Sequence, residues 1–174
     1  MRGLVHIYCG EGKGKTTTSI GLSVRAAGNG MKVIFTQFLK NNDSSELKIL
    51  NSIENIDLIP CEESFGFFFN MTDEQKVEAK KVYSNLLTSV LKKSKESDYD
   101  MLVLDEIMAA YNYNLVDRDE LIEFLKNKPE KLEVVMTGRN PDEKLIELAD
   151  YVSNIQKIKH PYDKGIFARK GIEM

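Results

Sequence analysis

Short runs rich in apolar and β-branched residues alternate with longer amphipathic segments along the whole chain. The short runs, which predict strands, occupy residues 4–8, 32–38, 56–60, 100–106, 133–139 and 151–158. The longer segments, which predict helices, occupy residues 16–27, 45–52, 72–96, 117–126 and 142–149. Strands that alternate with helices predict an α/β domain with a mostly parallel central sheet flanked by helices.

Length and composition indicate one globular domain over residues 1–174. Hydrophobic residues make up 42% and charged residues 29% of the chain, and both shares are typical of such domains. The net charge of −3 does not favour general binding to nucleic acid. The sequence shows no signal peptide and no apolar run long enough to span a membrane, and its two cysteines form no CxxC pair. We therefore expect a cytoplasmic protein with no nucleic-acid or membrane partner.

The stretch CGEGKGKTTTS, residues 9–19, follows the first predicted strand and leads into the first predicted helix. It matches the Walker A pattern G-x-x-x-x-G-K-[ST] at Gly14, Lys15 and Thr16, although Cys9 replaces the first glycine. Backbone N–H groups and the helix N-terminus would hold phosphates, Lys15 would reach the β- and γ-phosphates, and Thr16 would bind Mg²⁺. The alternative is a glycine-rich turn with exposed lysines, but the strand–loop–helix context favours the phosphate site.

Two further strands are predicted to end at the same edge of the sheet. LVLDE places Asp105 and Glu106 at the carboxyl end of a buried strand, where ligands bind in parallel sheets. An acid there can bind Mg²⁺ as a Walker B residue does, or Asp105 can simply cap the next helix. The TGR tripeptide places Arg139 at the end of the following strand, where it could contact a triphosphate.

Motifs in a defined order carry a resemblance to a known family. They are GEGKGKTTTSIGLSVRAAGNGMKV, QFLK, LVLDEIMAAYNYNLV and VVMTGRNPDEKLIELADYVSNIQKIKHP, closing with KGIE. In this order they resemble the P-loop type of corrinoid adenosyltransferase, also called cob(I)yrinic acid a,c-diamide or cob(I)alamin adenosyltransferase. The resemblance covers nearly the whole chain.

The resemblance implies a RecA-type P-loop fold, a homodimer, and an enzyme that binds Mg²⁺-ATP and a corrinoid. Such an enzyme transfers the 5′-deoxyadenosyl group of ATP to Co(I) and releases triphosphate, in the synthesis or salvage of adenosylcobalamin. It also implies an electron donor such as a reduced flavoprotein. Members often have an N-terminal extension that helps to cover the site, whereas this sequence starts at its first predicted strand.

The resemblance also implies roles for individual residues. Glu106 matches the acid on the metal side, with Asp105 adjacent, and Arg139 matches the arginine that contacts phosphate. Together with Lys15, Glu106 and Arg139 form the expected catalytic set. The expected ATP-binding residues, apart from Arg139, are Gly10, Glu11, Gly12, Lys13, Gly14, Lys15, Thr16 and Thr17.

An aromatic stretch, SFGFFFNM, lies where the pattern predicts a loop. It resembles the family's Gly-Phe-x-Trp element, whose aromatic rings pack against the corrinoid, and Phe67 and Phe69 match these rings. Phe69 stands where tryptophan is common. The family uses such an apolar wall to displace the lower axial ligand of Co(II), which makes reduction to Co(I) easier. The alternative, that these rings are part of the core, is less favoured because a loop interrupted by glycine is a poor core strand.

The expected chemistry suits this set of side chains. Co(I) is a nucleophile without a proton, so its attack on the 5′-carbon needs no general base, and the protein must supply aim and charge stabilisation. Two other classes share the phosphate site. A small-molecule P-loop kinase would also need an acceptor-side base and usually an arginine-rich lid, which is not obvious here. A non-catalytic ATP-binding switch would bind no corrinoid.

Overall fold

The computed structural model describes residues 2–40, 44–61, 63–66, 68–96 and 98–173, and its centre is a six-stranded sheet. The strands are β1 (Val5–Cys9), β2 (Val33–Gln37), β3 (Ile56–Ile59), β4 (Met101–Asp105), β5 (Glu133–Gly138) and β6 (Tyr151–Asn154). Their order across the sheet is β3-β2-β4-β5-β1-β6, and each neighbouring pair runs parallel. The expected α/β fold with a largely parallel sheet is confirmed.

Helices cover both faces of this sheet. They are α1 (Lys15–Gly28), α2 (Ser45–Leu50), α3 (Asp73–Glu96), α4 (Ile107–Asn112), α5 (Arg118–Lys126) and α6 (Glu143–Leu148), with short 3₁₀ turns at Phe68–Asn70 and Pro161–Lys164. The sequence pattern predicted all of these helices except α4. This helix is only six residues long and mostly buried, so its sequence IMAAYN shows no amphipathic period. No helix within the described residues is both long and apolar enough to cross a membrane.

The core has one layer on each face of the sheet because the central strands are buried on both sides. Every residue of β2 and β4 is buried. On one face α3 contributes Ala79, Tyr83 and Val90, whereas Val82, which was also predicted to face the core, is half-buried. The outermost strand of the sheet, β6, is exposed at every residue. It ends at Asn154, whereas the sequence pattern predicted a strand that continues to residue 158.

The strand order decides where a ligand can bind. The chain leaves β1 on one side of the sheet's centre and enters β2 on the other side. The glycine-rich loop after β1 and the residues that follow β2, β4 and β5 therefore meet at one sheet edge, outside the carboxyl ends of the strands. This crevice is where open α/β sheets bind ligands.

Candidate active site

The glycine-rich loop between β1 and α1 has the shape of a phosphate cradle. Gly14, directly before α1, has φ of 121°, which only glycine adopts readily. A Cβ on Gly12 would lie 2.6 Å from the carbonyl oxygen of Gln156, in the segment after β6 that packs against the loop. The first turn of α1 contains no acidic residue. Its free backbone N–H groups and positive dipole end therefore suit an anion.

Lys15 lies inside this cradle, only 8% exposed. Its ammonium Nζ donates a hydrogen bond to the carbonyl oxygen of Gly12 at 2.9 Å. Burial lowers the pKa of Lys15, and the nearby carboxylate of Glu106 opposes that shift. Within the described residues the hydrogen-bond partner of this desolvated cation is a neutral carbonyl, so an incoming phosphate would add charge-assisted hydrogen bonds.

Asp105 ends β4 and is completely buried. Its Oδ2 accepts hydrogen bonds from Thr16 Oγ1 and from Gln37 Nε2, both at 3.1 Å. Its Oδ1 accepts one from Thr137 Oγ1 at 2.7 Å. These donors are side chains from three other elements, so Asp105 ties the phosphate loop to the sheet edge. The residue at the N-cap of α4 is Glu106, not Asp105.

Lys40, which follows β2, completes this cluster. Its Nζ donates to Asp105 Oδ2 at 2.7 Å and to Thr16 Oγ1 at 2.8 Å. The sequence interpretation assigned no role to Lys40, to Gln37 or to the hydroxyl of Thr137. Their positions in the sequence could have indicated a role, because each of them lies at or just after the end of a predicted strand, on the side of the sheet that carries the phosphate loop.

Glu106 occupies a strained position directly after Asp105. Its φ of 60° and ψ of 20° place a non-glycine residue in the left-handed region, and its N–H donates to Thr137 Oγ1 at 2.9 Å. Burial raises the pKa of the Glu106 carboxyl, and the neighbouring charge of Asp105 raises it further. The cations of Lys40 and Lys15 act in the opposite direction. Glu106 is thus a partly desolvated acid within the field of the phosphate-site cations.

Glu106→Gln should stabilise the ligand-free protein at neutral pH. Between the ordinary glutamate pKa of about 4.3 and the raised value, the folded state binds more protons at this position than the unfolded chain. The free energy of unfolding therefore falls as pH rises through that window, and glutamine removes this loss. We expect a melting temperature about 2 °C higher at pH 7 and no gain below pH 4. Thermal unfolding between pH 4 and pH 8 measures the melting temperature of each protein, with Glu147→Gln, at an exposed position, as the control. The same pH dependence of the melting temperature for Glu106→Gln and wild type would contradict this prediction.

The remaining predicted phosphate contacts lie at the open side of the cradle. Arg139 Nη1 lies 3.1 Å from Glu11 Oε2, and both side chains are largely exposed. Lys13 Nζ lies 3.2 Å from Glu173 Oε1 near the end of the chain. Thr17 is exposed in the first turn of α1. Arg139 and Lys13 are paired with carboxylates, which an anionic ligand would have to replace.

The aromatic stretch divides into a packed part and an exposed part. The ring of Phe68 stacks on that of Tyr113, with centroids 4.3 Å apart and planes 2° from parallel. Phe65 packs edge-on against Tyr83 in the core. Phe69 is 81% exposed and meets Tyr113 edge-on at 5.5 Å. Phe67, the other predicted corrinoid contact, lies outside the described residues.

The packing of Phe68 on Tyr113 places the aromatic residues near the phosphate site. Tyr113 directly follows α4, and α4 begins directly after Glu106. A six-residue helix spans about 9 Å. The backbone of Tyr113 therefore lies on the order of 10 Å from that of Glu106, and the centroid of the exposed Phe69 ring lies 5.5 Å from that of the Tyr113 ring.

The acids of this edge are suited to Mg²⁺ held jointly with a nucleotide. Within the described ranges, no group of three or more His, Cys, Asp or Glu side chains could hold a metal ion alone. Mg²⁺ is usually bound by one or two carboxylates together with substrate phosphates and water. The Thr16 hydroxyl and the Asp105 carboxylate already share the Lys40 ammonium, which indicates that these two oxygens suit a cation.

A parallel sheet with a glycine-rich loop before its first helix, and a buried acid paired with the threonine of that loop, defines a P-loop nucleotide-binding protein. Its fold is similar to that of the flagellar accessory protein FlaH from Methanocaldococcus jannaschii, with a TM-score of 0.55 and 18% identity over 88% of this chain and 71% of that one. This likeness supports the RecA-like fold.

The chain belongs to the ATP:corrinoid adenosyltransferase BtuR/CobO/CobP family, which matches residues 1–174. A corrinoid adenosyltransferase from a Sinorhizobium species is 35% identical, with 99% of this chain and 80% of that protein covered. One from Escherichia coli K12 is 28% identical, with 99% and 86% covered. The family resemblance of the motifs is thus confirmed, and nothing in these comparisons favours a kinase or a nucleotide switch.

Proposed function

We propose that this protein transfers the 5′-deoxyadenosyl group of ATP to the Co(I) of a corrinoid in adenosylcobalamin synthesis or salvage. The observation that carries this proposal is the contact of the exposed Phe69 ring with Tyr113, which lies one short helix after the acids beside the phosphate loop. ATP held by its triphosphate can then present its 5′-carbon to a corrin ring that packs against the aromatic residues.

The reaction is a nucleophilic substitution in which the electrons balance without a proton transfer. The lone pair of Co(I) forms the cobalt–carbon bond, and the bond between C5′ and the triphosphate oxygen breaks. The electron pair of that bond leaves with the triphosphate, and cobalt becomes Co(III). The protein's contribution is therefore to align the reactants and to stabilise negative charge on the leaving group.

Cationic groups and N–H donors of this chain are placed for that task. Lys15 is buried in the phosphate cradle, and the N-terminus of α1 points its N–H groups at the same place. Arg139 and Lys13 can contact the triphosphate from the open side once they leave Glu11 and Glu173. Residues 10–17 would thus bind ATP, with Lys15 and Arg139 supplying most of the charge stabilisation.

Thr16 and Asp105 would hold Mg²⁺, with Glu106 close enough to act through a bound water. When bound, Mg²⁺ neutralises part of the charge on the triphosphate. The complete burial of Asp105 and its contact with Thr16 make it the stronger candidate for direct coordination. Glu106, which was the first choice from the resemblance, has the raised pKa expected of a desolvated acid beside Asp105.

Asp105→Asn should raise the Mg²⁺ concentration needed for half-maximal activity by about tenfold or more. Glu106→Gln should raise it less, because the hydroxyl of Thr16 donates a hydrogen bond to Asp105 and, within the described residues, not to Glu106. Titrating Mg²⁺ at saturating corrinoid compares the two variants with wild type. Circular dichroism checks that each variant is folded. A larger effect for Glu106→Gln would reverse the proposed roles.

Phe67 and Phe69 would contact the corrinoid, and Phe69 has the exposure that such a contact requires. An electron donor such as a reduced flavoprotein would supply the electron that converts Co(II) to Co(I).

A homodimer is also proposed, and the exposed strand β6 together with Ile158 and Phe167 offers apolar surface for it. Light scattering on the protein as it elutes from a size-exclusion column measures its molecular mass. The homodimer predicts twice the mass of one chain, and the mass of a single chain would contradict it.

The transfer itself is tested by optical spectroscopy under anaerobic conditions. Protein, Mg²⁺-ATP and chemically reduced cob(I)alamin are mixed in the dark, and the Co(I) spectrum is expected to be replaced by that of an alkylcobalamin. Exposure to light should then cleave the new cobalt–carbon bond. A Co(I) spectrum that persists with ATP, or that decays equally without ATP, would contradict the proposal.

A further inference from the structure

We propose that Lys40 is an internal counter-cation that occupies the divalent-cation position in the free protein and is displaced when Mg²⁺ enters with the nucleotide. The inference rests on the proposed metal role of Thr16 and Asp105. It gives a function to the QFLK motif, which neither the phosphate cradle nor the aromatic stretch explains.

The geometry carries the inference. Lys40 Nζ lies 2.7 Å from Asp105 Oδ2 and 2.8 Å from Thr16 Oγ1, and these two oxygens are themselves 3.1 Å apart. One ammonium thus contacts both oxygens that would bind Mg²⁺. A metal ion touching the same pair would lie within a few ångströms of Nζ, and the repulsion between the two cations would be strong. The two cations therefore exclude each other.

The backbone aims Lys40 at this position. The N–H of Phe38 donates to the carbonyl oxygen of Asp105 at 2.9 Å, which fixes the end of β2 against the end of β4. The next residue, Leu39, has φ of 56°, a left-handed conformation that is unfavourable for a branched side chain. Leu39 packs against the core, so the strain is held by its surroundings. Local strain of this kind is concentrated at functional sites.

Electrostatics explains why a cation is needed before the metal arrives. Asp105 is fully buried, and a buried carboxylate without a cationic partner is strongly destabilising. The Lys40 side chain is 26% exposed, so it can leave towards solvent more easily than Asp105 can. Exchange of the ammonium for Mg²⁺ keeps the carboxylate paired in both states and keeps Thr16 in place.

The test measures metal binding without ATP or corrinoid, so it does not depend on adenosyl transfer. Mn²⁺ is titrated into the protein, and free Mn²⁺ is followed by electron paramagnetic resonance. Lys40→Met should bind Mn²⁺ about tenfold or more tightly than wild type, because a competitor has been removed. Lys40→Arg keeps the charge and should bind as weakly as wild type. Lys32→Met, an exposed lysine just before β2, is the matched control and should also resemble wild type.

Stability provides the second readout. Without metal, Lys40→Met should melt below wild type, and MgCl₂ should raise its melting temperature more than that of wild type. If this variant does not fold, Lys40→Gln, which keeps a hydrogen-bond donor without the charge, takes its place in both experiments.

Failure of this inference is distinguishable from failure of the metal assignment. Mn²⁺ binding by Lys40→Met that is no tighter than that of wild type, or an equal Mg²⁺ effect on both melting temperatures, overturns the role of Lys40. If Lys40→Met binds Mn²⁺ more tightly and adding Asp105→Asn does not abolish this gain, the metal lies elsewhere and both assignments are overturned.

Discussion

Lys15→Ala is expected to lower adenosyl transfer by about 10²-fold or more, the loss typical of removing a major electrostatic contact to developing charge. The ammonium of Lys15 is buried in the phosphate cradle, and among the described residues its hydrogen-bond partner is the neutral carbonyl of Gly12, so its charge is available to the triphosphate. Because Lys15 acts on the leaving group, the loss should be equal from Co(I) and from Co(II). Steady-state rates from both starting states measure it.

Lys13→Ala is the matched comparison for Lys15→Ala. Lys13 belongs to the same loop, but its side chain is 47% exposed and paired with Glu173. Charges screened by solvent contribute less, so its loss should be clearly smaller. Equal losses for both variants, or near-normal turnover in Lys15→Ala, would contradict the assignment of Lys15.

Phe69→Ala is expected to impair the reaction from Co(II) about tenfold more than the reaction from Co(I), equivalent to about 1.4 kcal/mol in the barrier. An apolar wall cannot replace the coordinate bond of a nitrogen ligand, so it favours four-coordinate Co(II), which accepts an electron more readily. Phe69 is 81% exposed, and its removal should hardly change stability. Rates are measured from both oxidation states, and the four-coordinate Co(II) signal is followed on adding Mg²⁺-ATP.

Phe65→Ala separates this effect from a general loss of packing. Phe65 lies edge-on against Tyr83 and contributes to the core, so its truncation should lower the melting temperature without a preference for Co(II). If Phe69→Ala lowers both activities equally, or keeps the full four-coordinate signal, the exposed ring takes no part in the reduction.

The sequence predicted those features that depend on local pattern. The strands that carry the site are short apolar runs, and the glycine-rich loop is recognisable from its Walker A pattern between a predicted strand and a predicted helix. Helix α4 was missed because its six residues are too few and too uniformly apolar to show a helical period. The aromatic stretch was recognised, but no pattern distinguished the packed Phe68 from the exposed Phe69.

The contacts of Lys40 could not be predicted in the same way. Lys40 is 24 residues from Thr16 and 65 residues from Asp105 along the chain. The three meet because β2 and β4 are neighbours in the sheet and the phosphate loop lies at the same edge. Sequence spacing does not state which strands are adjacent, so the strand order had to be known first.

Product stoichiometry tests the central claim most directly. The protein is incubated anaerobically in the dark with Mg²⁺-ATP and chemically reduced cob(I)alamin, and the nucleotide, phosphate and corrinoid products are quantified by chromatography. Direct attack of Co(I) on the 5′-carbon predicts triphosphate and adenosylcobalamin in equal amounts, with both absent when Co(I) is omitted. ADP or inorganic phosphate as the main product, with the cobalamin unchanged, would contradict adenosyl transfer.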